Sequence, residues 1–499
     1  MNIKKAAKIL LFLGLALIVL IFGCGQKNES SSTAAPLKTA EAMPLQTTET
    51  EIPKYVFYLI GDGLGAAQRQ IAKEYLMHIT SDSSAKLAMN QMLTAGTYTT
   101  YSLDSDITDS AAAGTALACG VKTNNGYISV TPNGKSTKTL AEAVQEIGYA
   151  TGIITSKRIT DATAAVFAAH NADRSDESGI AQDYLDSNVD FFAGGGLRYF
   201  LPGDYTAGGK DPLGMKITSA RSDDIDLIQE FADKGYHVFA GTQGTADFAS
   251  YEPWAGDKVF AAFTDSNMPY ELDRVNTNTN IMSLSEITQT AIDLLSLDPE
   301  GFFLMVEGGR IDNACHTNDI AAAVYDILEF DEVVKTAIDF YREYPQDTLI
   351  IVAGDHETGG LIIGDESGTP PDLKQMDGIT MSFLDGFHYA YQPDEDREEY
   401  FDFLETIGIK DLTHEEKAKI EQGMDMANIN KSTSGYNEAG IAVNHIVAER
   451  IGIQWTTYGH TDARIPLSVM GVSQDSFIGL TDNTQIAGTL ANILSVKIG

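Results

Sequence analysis

The sequence predicts an α/β fold with a doubly wound, mostly parallel sheet flanked by helices. Four short apolar runs of the kind that form buried strands lie at residues 55–60, 149–154, 302–306 and 348–353. Their hydrophobicity is continuous rather than alternating, which is typical of strands that helices cover on both faces. Segments with helical periodicity lie between them, for example at 139–147 and 321–340. Alternation of strands and helices along the chain favours a parallel sheet.

The charge balance limits the kinds of partner that the protein can have. Its 499 residues include 34 Lys and Arg against 70 Asp and Glu, which gives a formal net charge of -36. Nucleic-acid binding needs a basic surface, so we expect no nucleic-acid partner. A small anionic substrate would need a local positive site, which bound divalent cations can supply.

The N-terminal segment has the pattern of an export signal. Lysines within the first eight residues precede an apolar run at 9–22, which is the layout of a secretory signal. Cys24 follows this run between two glycines and resembles the processing site of a bacterial lipoprotein. We therefore expect a lipid anchor at Cys24. An uncleaved anchor helix is the alternative, because Phe22 fits the lipoprotein pattern poorly.

These signals predict how the chain is divided. We expect a lipoprotein-like signal segment at 1–24, a flexible polar tether at 25–50 and the folded region at 51–499. Whichever form the N-terminus takes, the folded region is expected in the cell envelope, outside the cytoplasmic membrane. We also expect a crown-like insertion at about 364–453, because that region has polar helical segments and an acidic run at 394–399.

Acidic and imidazole side chains follow three of the predicted strands, either directly or after one glycine. Asp62 comes after the first run, Glu307 after the third, and Asp355 and His356 after the fourth. In parallel sheets, ligands bind beyond the carboxyl ends of the strands, so these groups should converge at one edge. Asp62 alone could instead cap the next helix. Helix capping does not explain why four such groups follow three separate strands.

Asp312 and His316 have the spacing of metal ligands on a helix. Residues four apart share one helical face and can reach the same cation. Cys315 adjoins His316 and could be a soft zinc ligand, although Asp312 and His316 already satisfy the spacing. Together with the acids at the strand ends, this pair predicts a metal-dependent catalytic site.

Ser110 begins a run of small residues at 110–115 and is the candidate nucleophile. A serine at a helix N-terminus lies in a positive field and can be approached closely by a substrate. No histidine follows at short range, and a metal can activate the hydroxyl instead. The alternative is that Ser110 is only the N-cap of the helix.

From about Tyr55 to the C-terminus, the sequence resembles the alkaline phosphatase family. The resemblance is specific because several separate motifs agree in order and in rough spacing. They are Gly61-Asp62-Gly63, Asp109-Ser110-Ala111, Asp161-Ala162-Thr163, Arg174, residues 307–312, His316, residues 354–360 and Gly459-His460-Thr461.

The resemblance implies two zinc ions and one magnesium ion per chain. The implied ligands of the first zinc are Asp312, His316 and His460. The implied ligands of the second zinc are Asp62, Asp355, His356 and, as an exchangeable ligand, Ser110. The implied magnesium ligands are Asp62, Thr163 and Glu307, with Asp161 holding metal-bound water.

The resemblance also implies the reaction. Small phosphate monoesters would be hydrolysed to alcohol and phosphate through a phosphoserine on Ser110, with Arg174 gripping the phosphate by its bidentate guanidinium. Asn313 stands where the best-known bacterial member has a lysine that acts on bound phosphate, so we expect Asn313 in the substrate site. Dimers are usual in the family, and a homodimer is therefore an expectation.

Three other functions fit the sequence less well. A sulfatase needs a modified Cys or Ser followed by Pro and Arg, which the sequence after Ser110 lacks. A phosphodiesterase of the same superfamily typically has a threonine nucleophile and lacks the arginine and the third metal site. A binding lipoprotein with structural metals would close its zinc sites with four protein ligands, whereas these sets leave positions open.

Overall fold

The computed structural model describes residues 52–206, 208–277, 279–364, 368–383, 391–392, 395–429 and 431–499. The predicted signal segment, the anchor at Cys24 and the tether lie outside these ranges. The described residues all belong to one compact unit, Thr50–Gly499. None of the helices in these ranges is long and apolar enough to cross a membrane.

Thirteen strands lie in this part of the chain, and nine of them form one sheet. In chain order they are β1 (Tyr55–Gly61), β2 (Leu93–Tyr98), β3 (Ala150–Arg158), β4 (Phe191–Gly195), β5 (Tyr236–Ala240), β6 (Lys258–Ala262), β7 (Phe302–Gly308), β8 (Thr348–Gly354), β9 (Glu357–Thr358), β10 (Leu361–Ile363), β11 (Ile453–Trp455), β12 (His460–Thr461) and β13 (Ile465–Gly471). The order across the large sheet is β2-β13-β8-β1-β7-β3-β4-β6-β5. The strands from β8 to β5 in this order are parallel, and β13 is antiparallel to both of its neighbours. The prediction of a mostly parallel sheet is confirmed.

Helices cover both faces of the sheet. In chain order they are α1 (Ala66–Thr80), α2 (Ser110–Cys119), α3 (Leu140–Gln145), α4 (Ala162–Ala165), α5 (Glu177–Asp186), α6 (Leu227–Asp233), α7 (Gly241–Phe248), α8 (Glu271–Asn276), α9 (Leu284–Leu295), α10 (Arg310–His316), α11 (Ile320–Glu343), α12 (Arg397–Thr406), α13 (His414–Asn428), α14 (Glu438–Ile451) and α15 (Thr484–Leu494). Short 3-10 helices lie at Ala88–Gln91, Leu197–Tyr199, Leu373–Met376 and Gln474–Phe477.

Strand β1 shows why its sequence is apolar throughout. Val56, Tyr58 and Ile60 pack into one hydrophobic core with α2 and α15, whereas Phe57 and Leu59 pack into a second core with α9 and α11. All five side chains are fully buried. Successive side chains of a strand point to opposite faces, so a strand with helices on both sides must be apolar at every position.

The region that the sequence marks as an insertion lies between two short paired strands. The chain leaves through β10 and returns through β11, with Leu361 opposite Trp455. Helices α12, α13 and α14 lie between these strands and share a third hydrophobic core with α1 and α11. The boundaries of about 364–453 stay a prediction.

The sheet brings the ends of its central strands to one edge. Gly61 at the end of β1 pairs with Gly308 of β7 and with Gly354 of β8, so these strands finish level with one another. Because β13 is antiparallel to β8, it enters the sheet from the same edge. The pairing of β12 with β9 places His460 opposite Thr358, just beyond that edge.

Candidate active site

Ser110 is the first residue of α2, and Asp109 caps this helix. The Asp109 carboxylate accepts from the backbone N–H of Ala112 at 2.9 Å. Ser110 is therefore not the N-cap, so that alternative is wrong. The Ser110 side chain is instead directed to the sheet edge, where its Oγ lies 3.1 Å from Nε2 of His356. It is buried, in the positive field of the helix N-terminus.

One group of metal-binding side chains lies beside this serine. Asp62, Asp355 and His356 place their ligand atoms within 4.8 Å of one another, and all three residues are fully buried. Nε2 of His356 is 3.5 Å from Oδ1 of Asp62 and 3.3 Å from Oδ2 of Asp355. Burial holds the pKa of His356 well below its usual range, and the nearby His460 lowers it further. The ring is therefore neutral, as a metal ligand must be.

A second group adjoins the first. Asp312, His316 and His460 also bring their ligand atoms within 4.8 Å of one another. Nε2 of His316 lies 3.2 Å from Nε2 of His460 and 3.2 Å from Oδ1 of Asp312. Asp312 and His316 both lie on α10, which confirms the helical spacing. Cys315, the alternative ligand, is buried and belongs to neither group.

The outer ring nitrogens of the two histidines are held by backbone carbonyls. Nδ1 of His316 lies 2.5 Å from the carbonyl oxygen of Tyr458, and Nδ1 of His460 lies 2.8 Å from that of Thr108. A carbonyl only accepts, so Nδ1 is the donor in both rings, and Nε2 is the nitrogen that faces the other ligand atoms of the group. Partners of this kind orient histidine ligands in metal sites.

Thr358 connects the two groups, and its role was not predicted. Its hydroxyl donates to Oδ1 of Asp312 at 2.6 Å, so its oxygen can accept from Nδ1 of His356, 3.2 Å away. This arrangement assigns the His356 proton to Nδ1 and leaves Nε2 available beside Ser110. The rings of His356 and His460 stack with their centroids 3.5 Å apart. The two groups therefore form one continuous site.

Two of the residues implied for magnesium, Asp62 and Thr163, approach each other beside the first group. Thr163 lies with its Oγ1 3.4 Å from Oδ2 of Asp62 and 3.3 Å from Oδ2 of Asp355. Glu307 is fully buried, and neither of its carboxylate oxygens has a hydrogen-bond partner in the ranges that the structure describes. Burial raises the pKa of Glu307 well above its usual range. A buried carboxylate without partners is costly, and a divalent cation would remove that cost.

Lys157 is the main residue that the sequence reasoning missed. Its side chain is 3% exposed, and its Nζ lies 2.6 Å from Oδ2 of Asp62 and 3.1 Å from Oδ2 of Asp312. The signal was available, because Lys157 lies near the carboxyl end of β3, four residues before Asp161. A lysine at the end of this strand lies at the same edge of the sheet as the acidic residues, where it can form ion pairs with them.

Arg174 is braced by two carboxylates next to the serine. Its NH1 donates to Oδ2 of Asp109 at 3.0 Å, and its NH2 lies 3.4 Å from Oδ1 of Asp161. Burial alone would raise the pKa of Asp161, but the cations Lys157, Arg158 and Arg174 lower it to about 2. Asp109 thus both caps the nucleophile helix and positions the arginine.

Asn313 lies on α10 directly after Asp312 and is half-buried. Its Oδ1 accepts from NH1 of Arg310 at 2.9 Å. Arg310 is fully buried and lies over the ring of Tyr270, 3.7 Å from the ring centroid. The assignment of Asn313 to the substrate site stays a prediction.

Comparison with known proteins identifies the family. A family model described as alkaline phosphatase matches residues 53–496. The chain belongs to the alkaline phosphatase family. Alkaline phosphatase 3 of Bacillus subtilis is 31% identical over 478 residues, which cover 94% of this chain and 95% of the relative.

Solved alkaline phosphatases share the fold. The enzyme from Thermus thermophilus superposes with a TM-score of 0.74 at 27% identity, over 91% of this chain and 96% of that one. The cold-active alkaline phosphatase from the psychrophile Shewanella sp. gives a TM-score of 0.73 at 28% identity, over 88% of this chain and 99% of that one. The predicted family, fold class and enzyme class are confirmed. As an alkaline phosphatase, the protein is a phosphomonoesterase, and the alternative of a non-catalytic binding lipoprotein is wrong.

Proposed function

We propose that the protein hydrolyses phosphate monoesters through a phosphoserine on Ser110, assisted by two zinc ions and one magnesium ion. One observation carries this proposal, namely the 3.1 Å approach of the Ser110 hydroxyl to His356 in the metal-binding group. The helix capping supports it, because Asp109 takes the capping task and leaves Ser110 free for chemistry.

The donor types fit these metals. The two groups that combine histidine nitrogen with carboxylate oxygen suit zinc, and they leave coordination positions for a substrate. The oxygen-only set of Asp62, Thr163 and Glu307 suits magnesium. When bound, the cations would supply the positive charge that lowers the pKa of the nucleophile and stabilises charge on the attacking and leaving oxygens.

The side chains of Ser110 and Arg174 account for the two chemical steps. Oγ of Ser110 gives up its proton and forms a bond to phosphorus, while the bond from phosphorus to the alcohol oxygen breaks and that oxygen takes up a proton to leave as the alcohol. Arg174 binds the phosphate oxygens, since its guanidinium has more N–H donors than Asp109 and Asp161 use. Water then attacks the phosphorus, the bond from phosphorus to Oγ of Ser110 breaks, one proton of the water passes to Ser110 and phosphate leaves. These groups act on the phosphoryl oxygens, so we expect little selectivity for the alcohol.

Trapping of the intermediate tests the proposal. We expect protein quenched during turnover of a radiolabelled aryl phosphate to carry the label on Ser110, because that hydroxyl is the buried nucleophile within the site. Peptide mapping locates the label. A label on a different residue, or release of phosphate that zinc does not stimulate, would contradict the mechanism.

A substitution at Asn313 tests the substrate site. We expect Asn313→Lys to strengthen competitive inhibition by inorganic phosphate several-fold, because a water-screened charge contributes on the order of 1 kcal/mol. The measurement is the phosphate inhibition constant of both proteins at one pH with fixed zinc and magnesium. Asn313→Gln, which adds length without charge, is the matched control. Unchanged or weaker inhibition in the lysine variant would place Asn313 away from the phosphate.

The proposal extends to where the enzyme works. Residues 1–50 have the pattern of a lipoprotein signal and a polar tether, which supports a location in the cell envelope and membrane attachment only through a lipid on Cys24. A homodimer is part of the same proposal, since dimers are usual in the family. Small phosphate monoesters outside the cytoplasmic membrane would then be the substrates.

A further inference from the structure

Lys157 places a buried positive charge inside the metal-binding site. Its ammonium contacts Oδ2 of Asp62 and Oδ2 of Asp312, at 2.6 Å and 3.1 Å. Asp62 is fully buried, and the side chains of Lys157 and Asp312 are 3% and 5% exposed. An ammonium is strongly hydrated, so its burial is favourable only when carboxylates surround it. The lysine is therefore held in place by the acids that the metals use.

The two carboxylates divide their oxygens between the lysine and the zinc groups. Oδ1 of Asp62 lies on the side of His356, and Oδ1 of Asp312 lies 3.2 Å from His316 and 3.6 Å from His460. The Oδ2 atoms of both residues point to Lys157 instead. The contact with Lys157 thus leaves one oxygen of each aspartate for zinc.

In the proposed magnesium group, by contrast, the lysine and the metal ligands share one carboxylate oxygen. Thr163 approaches Asp62 at Oδ2, the same atom that Lys157 holds. Glu307, the remaining member, has no hydrogen-bond partner in the described part of the chain. A cation held by Asp62, Thr163 and Glu307 would use Oδ2 of Asp62, the carboxylate oxygen that Thr163 approaches, and the lysine charge would also repel that cation.

We propose that Lys157 competes with the third metal ion for Oδ2 of Asp62 and so sets the affinity of that site, an inference that rests on the proposed magnesium site. The two zinc groups are spared because they use the other carboxylate oxygens. The protein should therefore hold zinc tightly and magnesium weakly. In metal-free protein, Lys157 holds Asp62 and Asp312 together by neutralising their charge.

The test compares magnesium binding to the full chain, loaded with two equivalents of zinc, with and without the lysine charge. Lys157→Met keeps an unbranched side chain of similar length, and we expect it to bind magnesium about tenfold more tightly or better in isothermal titration. Zinc content should stay at two equivalents. Lys122→Met is the matched control, because Lys122 is also a largely buried lysine in an ion pair, with Asp482 at 3.0 Å. Its magnesium affinity should be unchanged.

Thermal unfolding of the metal-stripped proteins gives a second readout. Lys157→Met should unfold at a lower temperature than the parent, because Asp62 and Asp312 lose their shared cation, and magnesium should raise its midpoint more than that of the parent. If Lys157→Met does not fold, Lys157→Gln, which also lacks the charge, has the same expected magnesium binding.

Equal or weaker magnesium binding after the loss of the lysine charge would overturn the inference and leave the phosphoserine mechanism standing. Absence of magnesium binding in both the parent and the variant would overturn the proposed third site, and the inference with it. A radiolabel on a residue other than Ser110 would contradict the mechanism without affecting the magnesium comparison.

Discussion

Ser110→Ala should reduce the turnover of small phosphate monoesters by on the order of a thousandfold or more. The substitution removes the oxygen that forms the covalent bond to phosphorus in the proposed mechanism. Folding and metal content should be nearly unchanged, because Asp109 rather than Ser110 caps α2. The measurements are steady-state kinetics with an aryl phosphate, elemental analysis and thermal unfolding.

The Ser110→Ala variant should keep some residual activity, and a second serine variant is its control. Water could still attack a bound substrate directly, so some turnover should remain. Ser102→Ala is the matched control, since Ser102 lies in the segment before α2, is also buried and bonds to Asp104 at 3.0 Å. That variant should keep activity near that of the parent. A metal-loaded Ser110→Ala protein with more than about a tenth of parental turnover would contradict the role of Ser110 as nucleophile.

Asp62→Ala should have the second largest effect, because this carboxylate belongs to one of the two metal-binding groups and to the proposed magnesium site. Its Oδ1 faces His356 and its Oδ2 faces Lys157 and Thr163. We expect zinc to fall from about two equivalents towards one, magnesium binding to be lost and turnover to fall with them. Elemental analysis after dialysis measures the metals, and the same samples give the rate.

The paired control for this variant is Asp82→Ala. Asp82 is an exposed aspartate just beyond α1, whose carboxylate accepts from the side chain of Ser84 at 2.7 Å. Its removal should leave metal content and rate unchanged. Two tightly held zinc ions in Asp62→Ala would show that the second zinc group is placed wrongly. Asp355→Ala and His460→Ala should each also lose zinc, since one of these residues belongs to each of the two groups that could hold a metal ion.

Local sequence was enough to place most of the candidate metal ligands at the edge of the sheet. A continuous apolar run predicts a doubly covered strand, and the residue after it must lie at the sheet edge; Asp62 and Asp355 follow this rule after β1 and β8. The spacing of Asp312 and His316 is equally local, because one helical turn brings both to the same face. These features depend on neighbours within a few residues, which the sequence shows directly.

The roles of Asp109 and Thr358 could not be derived in this way. Asp109 holds Arg174, 65 positions along the chain, and Thr358 donates to Asp312, 46 positions away. Such contacts depend on which strands become neighbours and on their register. A short polar side chain could make many different hydrogen bonds, and only the packed fold selects one.

The sequence by itself determined the strands, the helical ligand pair, the candidate nucleophile and, through its motifs, the family. Only the tertiary structure decided that Asp109 caps the nucleophile helix, that β12 carries His460 to the edge where the parallel strands end, and that Lys157 lies between Asp62 and Asp312. The physical reason is that a charged side chain at a strand end can point to solvent or into the site. Its orientation depends on whether attraction to nearby opposite charges outweighs the loss of hydration. Those opposite charges come from parts of the chain that meet only when the sheet forms.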